Sequence, residues 1–131
     1  MENCIFCKIV RKEIPSEIVF EDDKSIAFLD INPVNDGHTL IIPKEHYEKM
    51  TDTPDELLVR LFIRAKQLIP LIQKATNASF IVEMVYGIDV PHFHIHLIPR
   101  YNNDGLHLWR GHPYDHPEKM REIAKKMRGL V

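Results

Sequence analysis

The segment Pro91-His92-Phe93-His94-Ile95-His96-Leu97-Ile98-Pro99 alternates histidine with a large apolar residue without a break. Side chains along a strand point to opposite faces in turn, so His92, His94 and His96 share one face while Phe93, Ile95 and Leu97 face a core. A face of three histidines is costly to bury without partners. It therefore reads as a site, the alternative being a half-buried polar face that happens to be histidine-rich. Histidines two apart on a strand are spaced by ~6.6 Å and the outer pair by ~13 Å. Two neighbours can converge on one ion at ~2.0–2.1 Å, but all three would strain to do so. The spacing favours a division of labour.

The chain has eight histidines but only two cysteines among 131 residues, a length that predicts one domain over residues 1–131. Hydrophobic residues make up 44% and charged residues 27%, an ordinary globular balance that excludes a disordered chain. Seventeen basic against nineteen acidic residues give a net charge of −2, too little to gather nucleic acid or anionic lipid by composition. No apolar run approaches the ~18–20 residues of a membrane span. The Met1-Glu2-Asn3-Cys4 opening lacks the pattern of a signal peptide. Both cysteines fall in one Cys-x-x-Cys, which staples no secreted fold, and a cytoplasmic protein is predicted.

Turn formers and periodicity divide the chain. A short helix is predicted over Cys4–Arg11, then strands at Ile18–Glu21, Ser25–Leu29 and His38–Ile42. Thr53-Pro54-Asp55-Glu56 reads as a helix start, with Thr53 as N-cap, Pro54 at the first helical position and Glu56 closing a capping box. Leu57, Leu58, Leu61, Ile63, Ala65, Leu68, Ile69 and Ile72 form an apolar stripe to about Ala75, with a kink or local break predicted at Pro70. Phe80–Tyr86 reads as a buried strand and His92–Pro99 as another. Pro117–Arg128 has helical spacing, with Gly129 as a C-terminal cap. These elements predict an α+β domain with a mostly antiparallel sheet of about five strands, one long helix and a C-terminal helix.

Cys4-x-x-Cys7 admits a redox pair, half of a zinc site, or chance. The redox assignment wants a thioredoxin-like βαβ context, which is missing. A structural zinc needs two further ligands.

The His-x-His-x-His segment followed by two apolar residues resembles the signature of the histidine triad (HIT) family of nucleotide hydrolases and transferases. Further blocks look like those of the family and stand in its order: Cys4–Ile9, Ile14-Pro15-Ser16, Ala27–Pro33, Gly37–Lys44 and Val90–Arg100. The resemblance implies a HIT-like fold and a homodimer. It implies cleavage at the α-phosphorus of a dinucleoside polyphosphate or an adenosine phosphoramidate. His94 would be the nucleophile forming a nucleotidyl-histidine, His96 would contact the phosphate or aid the leaving group, and His38 would support the triad. A neutral imidazole is a competent nucleophile near pH 7, and the other ring nitrogen of His94 should donate to a backbone carbonyl, fixing the tautomer. Phe6, Ile9, Ile14, Phe28 and Ile31 would surround a purine base, and Asp30 would accept from the ribose hydroxyls. The same apolar five would also suit a core. Zinc-containing members imply a structural zinc on Cys4, Cys7, His46 and His92, which would anchor the strand and leave His94 free.

One block departs from the pattern. Where the family usually carries Gly-Gln-[Ser/Thr]-Val, this chain has Gly87-Ile88-Asp89-Val90. Asp89 takes the place of a phosphate-binding hydroxyl, and a carboxylate there repels phosphate. The departure predicts weak or altered substrate choice, or an Asp89 turned aside to orient a histidine or bind a cation. A nucleotide-binding protein that has lost turnover through Ile88 and Asp89 is a competing assignment, and a metal-dependent hydrolase using all three histidines is a third. In the polar loop before the last helix, Arg100 and Trp109 are further candidates for the distal part of a substrate, whereas His112 and His116 read as solvated.

Overall fold

The computed structural model describes residues 1–107 and 111–130. In chain order they form helix α1 (Ile5–Val10), strands β1 (Ile18–Glu21), β2 (Ser25–Leu29) and β3 (Thr39–Pro43), and a 3₁₀ turn at Met50–Asp52. The long helix α2 (Asp55–Thr76), strands β4 (Phe80–Met84) and β5 (Ile95–Arg100), and helix α3 (Pro117–Leu130) follow. The five strands make one sheet in the order β1-β2-β3-β5-β4 with every pairing antiparallel, so the α+β expectation holds.

The middle of this sheet is covered on both faces, which is why β2 and β3 are nearly continuous apolar runs. On one face Leu61, Ala65, Leu68 and Ile72 of α2 pack with Ala27, Ile41, Phe93, Ile95 and Leu97. On the other, Phe6, Cys7 and Ile9 of α1 pack with Ile26, Phe28, Leu40 and Ile42. Asp22 fastens α2 to the sheet. Its carboxylate accepts from the Lys24 and Ser25 N–H groups at 2.9 and 2.7 Å and pairs with Arg60 and Arg64 at 3.1 and 3.3 Å.

Several local expectations are corrected. Thr53 does not cap α2: its hydroxyl donates to the Lys49 carbonyl at 3.0 Å, closing the 3₁₀ turn, and Pro54 is the capping residue without a side-chain bond. Pro70 does not break α2, which runs on to Thr76. Pro70 and Lys66 both lie on the exposed side, where the carbonyl deprived of its partner can meet water. Ile63 falls off the apolar stripe and is exposed. Strand β4 is shorter than predicted and only half buried, because it is the sheet edge. Helix α3 continues through Gly129 and buries none of its described residues. None of the helices among the described residues is long and apolar enough to cross a membrane.

Candidate functional site

Strand β5 lies between β3 and β4, with His96 opposite Leu40 on one side and Met84 on the other. The ladder begins only at Ile95, so His92 sits in a bend and His94 in the irregular lead-in, not in the strand proper. The alternation nevertheless persists through it. Phe93, Ile95 and Leu97 enter the core beneath α2, while Phe6 of α1 meets the rings of His92 and His94 edge-on at 5.9 and 5.1 Å. All three histidines are buried.

Their hydrogen bonds determine where each proton resides. Nδ1 of His94 lies 2.7 Å from the His92 carbonyl, which can only accept. His94 therefore carries its proton on Nδ1 and, when neutral, presents a lone pair at Nε2. The Val34 N–H donates to Nδ1 of His38 at 3.1 Å, placing the His38 proton on Nε2. That group donates to Nδ1 of His96 at 2.9 Å, so the His96 proton sits on Nε2. This last N–H is buried and has no partner among the described residues. An unpaired donor in the interior carries a desolvation cost that an incoming acceptor removes. Burial lowers the pKa of His38, opposed by Asp30, whose carboxylate lies 3.8 Å from Nε2. Burial, then the neighbouring His94 and His38, pushes His96 down to about 4. Both imidazoles are consequently neutral near pH 7.

The apolar residues assigned to a base pocket largely converge. Phe6, Ile9 and Phe28 share one buried cluster with Ile14 packed against it, and the Phe6 and Phe28 rings meet edge-to-face at 5.5 Å. Ile31 does not join them: it is 83% exposed in the turn where the chain leaves β2. Asp30 accepts from the Asn32 N–H at 2.9 Å through one carboxylate oxygen. A cavity of about 270 Å³ opens against His92 and His94, lined also by Glu48, Lys49, Gly87 and Val90. The backbone partners Val34 and His92 and the cavity residues Glu48 and Lys49 escape sequence reasoning, since nothing in their residue types marks them.

Cys4, Cys7, His46 and His92 come together from α1, the segment after β3 and the lead-in to β5, with their donor atoms within 4.8 Å of one another. Nε2 of His92 donates to the Pro43 carbonyl at 2.9 Å, which leaves the Nδ1 lone pair facing the cluster. That nitrogen lies 3.3 and 3.5 Å from the sulfurs of Cys4 and Cys7, and 3.2 Å from Nδ1 of His46. His46 Nδ1 is 3.3 Å from the Cys7 sulfur. A tetrahedral zinc with ordinary bond lengths has edges of ~3.3 Å between nitrogens and ~3.5 Å between nitrogen and sulfur. The four residues therefore fit such an ion.

Residues 11–103 match the family model described as HIT domain. The chain belongs to the HIT family. Among relatives similar over nearly the whole chain is the adenosine 5′-monophosphoramidase of Schizosaccharomyces pombe, 36% identical with 98% of each chain covered. A HIT family protein of Bacillus subtilis superposes with a TM-score of 0.87 at 36% identity, covering 98% of this chain and 97% of that one. A Zn-bound histidine triad family protein of Mycobacterium smegmatis superposes with a TM-score of 0.77 at 27% identity, covering 99% of each.

The remaining candidates of this HIT chain lie further out. Asp89 and Ile88 are exposed on the loop between β4 and β5. Arg100 is engaged by Asp104 at 2.8 and 3.1 Å and by the Leu106 carbonyl, an arrangement that braces the loop after β5. Trp109 falls outside the described residues, and His107, His112 and His116 are exposed.

Proposed function

We propose that this HIT protein is a nucleotide hydrolase and nucleotidyl transferase acting at the α-phosphorus of an adenosine phosphoramidate or a dinucleoside polyphosphate. The observation that carries this reading is the pairing of a lone pair at His94 Nε2 with the buried, unpartnered Nε2–H of His96. In the first step His94 Nε2 forms a bond to the α-phosphorus as the bond to the leaving amine or phosphate breaks. The His92 carbonyl holds the proton on Nδ1 while positive charge develops on the ring. His96 donates to a phosphoryl oxygen or to the leaving group, and the His38 bond keeps its proton on the donating nitrogen. In the second step water cleaves the nucleotidyl-histidine, releasing the nucleoside monophosphate. Phe6, Ile9, Ile14 and Phe28, with Ile31 at the exposed edge, receive a purine, and Asp30 accepts from ribose. The likeness to the S. pombe phosphoramidase supports the amide substrate.

Cys4, Cys7, His46 and His92 would hold a structural zinc, supported by their tetrahedral spacing and the Zn-bound mycobacterial relative. Reduced thiols in such a site suit a cytoplasmic setting. A homodimer would cover exposed apolar residues such as Val59 and Ile63 on α2, which sedimentation would reveal as twice the chain mass.

The test compares wild type with His94→Ala and His94→Asn on adenosine phosphoramidate and on diadenosine polyphosphates, with and without chelator. Loss of turnover by about a thousandfold or more in both variants, with adenosine monophosphate still bound, is the predicted result. Turnover surviving in either variant contradicts it. Binding without turnover in wild type would instead favour a nucleotide-binding protein, the reading that Ile88 and Asp89 support.

A further inference from the structure

The reaction above gives Asp89 no role. Gly87 and Val90 line the cavity against His92 and His94. Asp89, between them, lines an adjoining cleft of about 830 Å³ with Met1, Glu2, His46 and Glu48. The two spaces share Glu48 and Val90, so a group leaving the phosphorus near His94 has the Asp89 loop as its next wall. Among the described residues no lysine or arginine lines the cleft, and Met1 lines it together with Glu2, Glu48 and Asp89. On the His94 side Glu48 and Lys49 contribute one charge of each sign. The Asp89 carboxylate is also near enough to His96 to favour a positive charge on it.

We propose that Asp89 is a specificity-determining residue that selects adenosine phosphoramidates whose leaving amine carries a further positive charge and disfavours leaving groups carrying negative charge, polyphosphates included. The inference rests on the reaction proposed above and narrows its substrate. Even in water, a carboxylate about 5 Å from a unit charge changes affinity by a factor of about ten between a cation and an anion. A leaving polyphosphate brings more than one negative charge to this wall, whereas a leaving diamine brings none. Ile88 and Asp89 together supply no side-chain N–H or hydroxyl that could offset the difference.

The test uses three adenosine N-alkylphosphoramidates whose alkyl chains end in an ammonium, a hydroxyl or a carboxylate. The leaving chemistry is then constant and only the distal charge varies. We expect kcat/KM to fall in that order by about tenfold or more across the series, and the spread to shrink in 1 M salt as the charges are screened (~3 Å Debye length). Asp89→Asn and Asp89→Ser should each compress it several-fold, Glu2 and Glu48 of the same cleft leaving the remainder. Dissociation constants of the same compounds, measured by calorimetry on His94→Ala protein, read the spread without turnover. A wild-type spread below twofold, or one that survives both substitutions, overturns the proposal. The uncharged hydroxyl compound tests the parent reaction separately: its failure to turn over counts against the nucleophile, and the calorimetric spread still decides Asp89.

Discussion

The backbone carbonyl of His92 accepts the Nδ1 proton of His94 at 2.7 Å, while the His92 ring turns its Nδ1 into the cysteine–histidine cluster. One residue therefore contributes its imidazole to the candidate metal centre and its carbonyl to the candidate nucleophile. Whatever fixes the His92 ring also restrains the carbonyl that orients His94. The Pro43 carbonyl completes the restraint by holding His92 Nε2–H at 2.9 Å.

Protein purified without a histidine tag should contain roughly one zinc per chain. Removing it with chelator, or substituting Cys4→Ser, should lower the melting temperature by about 10 °C or more, since metal binding at such sites contributes directly to folding. Elemental analysis and a thermal scan check this. Metal-free protein whose melting is insensitive to chelator contradicts the zinc assignment.

His38→Phe removes the donor that keeps the His96 proton on Nε2. The ring then becomes free to carry its proton on Nδ1, and the donor toward the substrate is lost. A fall in kcat of about 10–100-fold with a smaller change in KM is expected, because the bond acts mainly on the transition state. His38→Gln, which can still donate to His96 Nδ1, should recover part of the loss. Steady-state kinetics on both variants checks the relay.

Acid should destabilise the metal-free fold in two separate windows. His92 and His96 are pushed down to about 4 by burial, whereas in the unfolded chain they titrate near 6.5. Between those values the unfolded state binds more protons, so stability falls as pH drops from about 6.5 to about 4 and is unaffected by these groups above that range. A shift of this size corresponds to roughly 3 kcal/mol for each buried ring. Asp22, held well below the usual carboxylate range by Lys24, Ser25 and Arg60 against the opposing effect of burial, contributes stability that is lost only below about pH 4. Denaturant unfolding at pH 7.5, 6 and 4.5 checks the first window, and His96→Gln should flatten part of it.

Gly37→Ala should destabilise the chain by about 1–3 kcal/mol and disturb His38 beside it. Gly37 has φ +95°, and a Cβ there would lie 2.6 Å from Cγ2 of Thr76 at the end of α2. Thermal melting and the activity of the variant measure the two effects together.

The histidine face was legible because a period of two requires no knowledge of distant residues, and the alternation survives even where the ladder has not begun. The antiparallel α+β sheet followed from the same patterning. Strand β4 looked buried because its composition is apolar, but its place at the sheet edge depends on the strand order. Thr53 looked like a cap because the competing Lys49 carbonyl belongs to a 3₁₀ turn that no local pattern announces. The ligand set drew on family resemblance, since spacing alone cannot bring His46 to Cys7. The proton on His94 Nδ1 meets the expectation of a backbone-carbonyl partner, but the partners themselves were invisible: they are the N–H of Val34 and the carbonyls of Pro43 and His92, whose residue types say nothing of their role.

The most direct test of the central claim traps the intermediate. Wild-type protein is mixed with adenosine phosphoramidate labelled at the α-phosphorus, quenched in denaturant within milliseconds and mapped by peptide mass spectrometry. A base-stable, acid-labile nucleotidyl group on His94, absent from His94→Asn, is the predicted result. Label on any other residue, or steady turnover that His94→Asn leaves undiminished, would contradict the account.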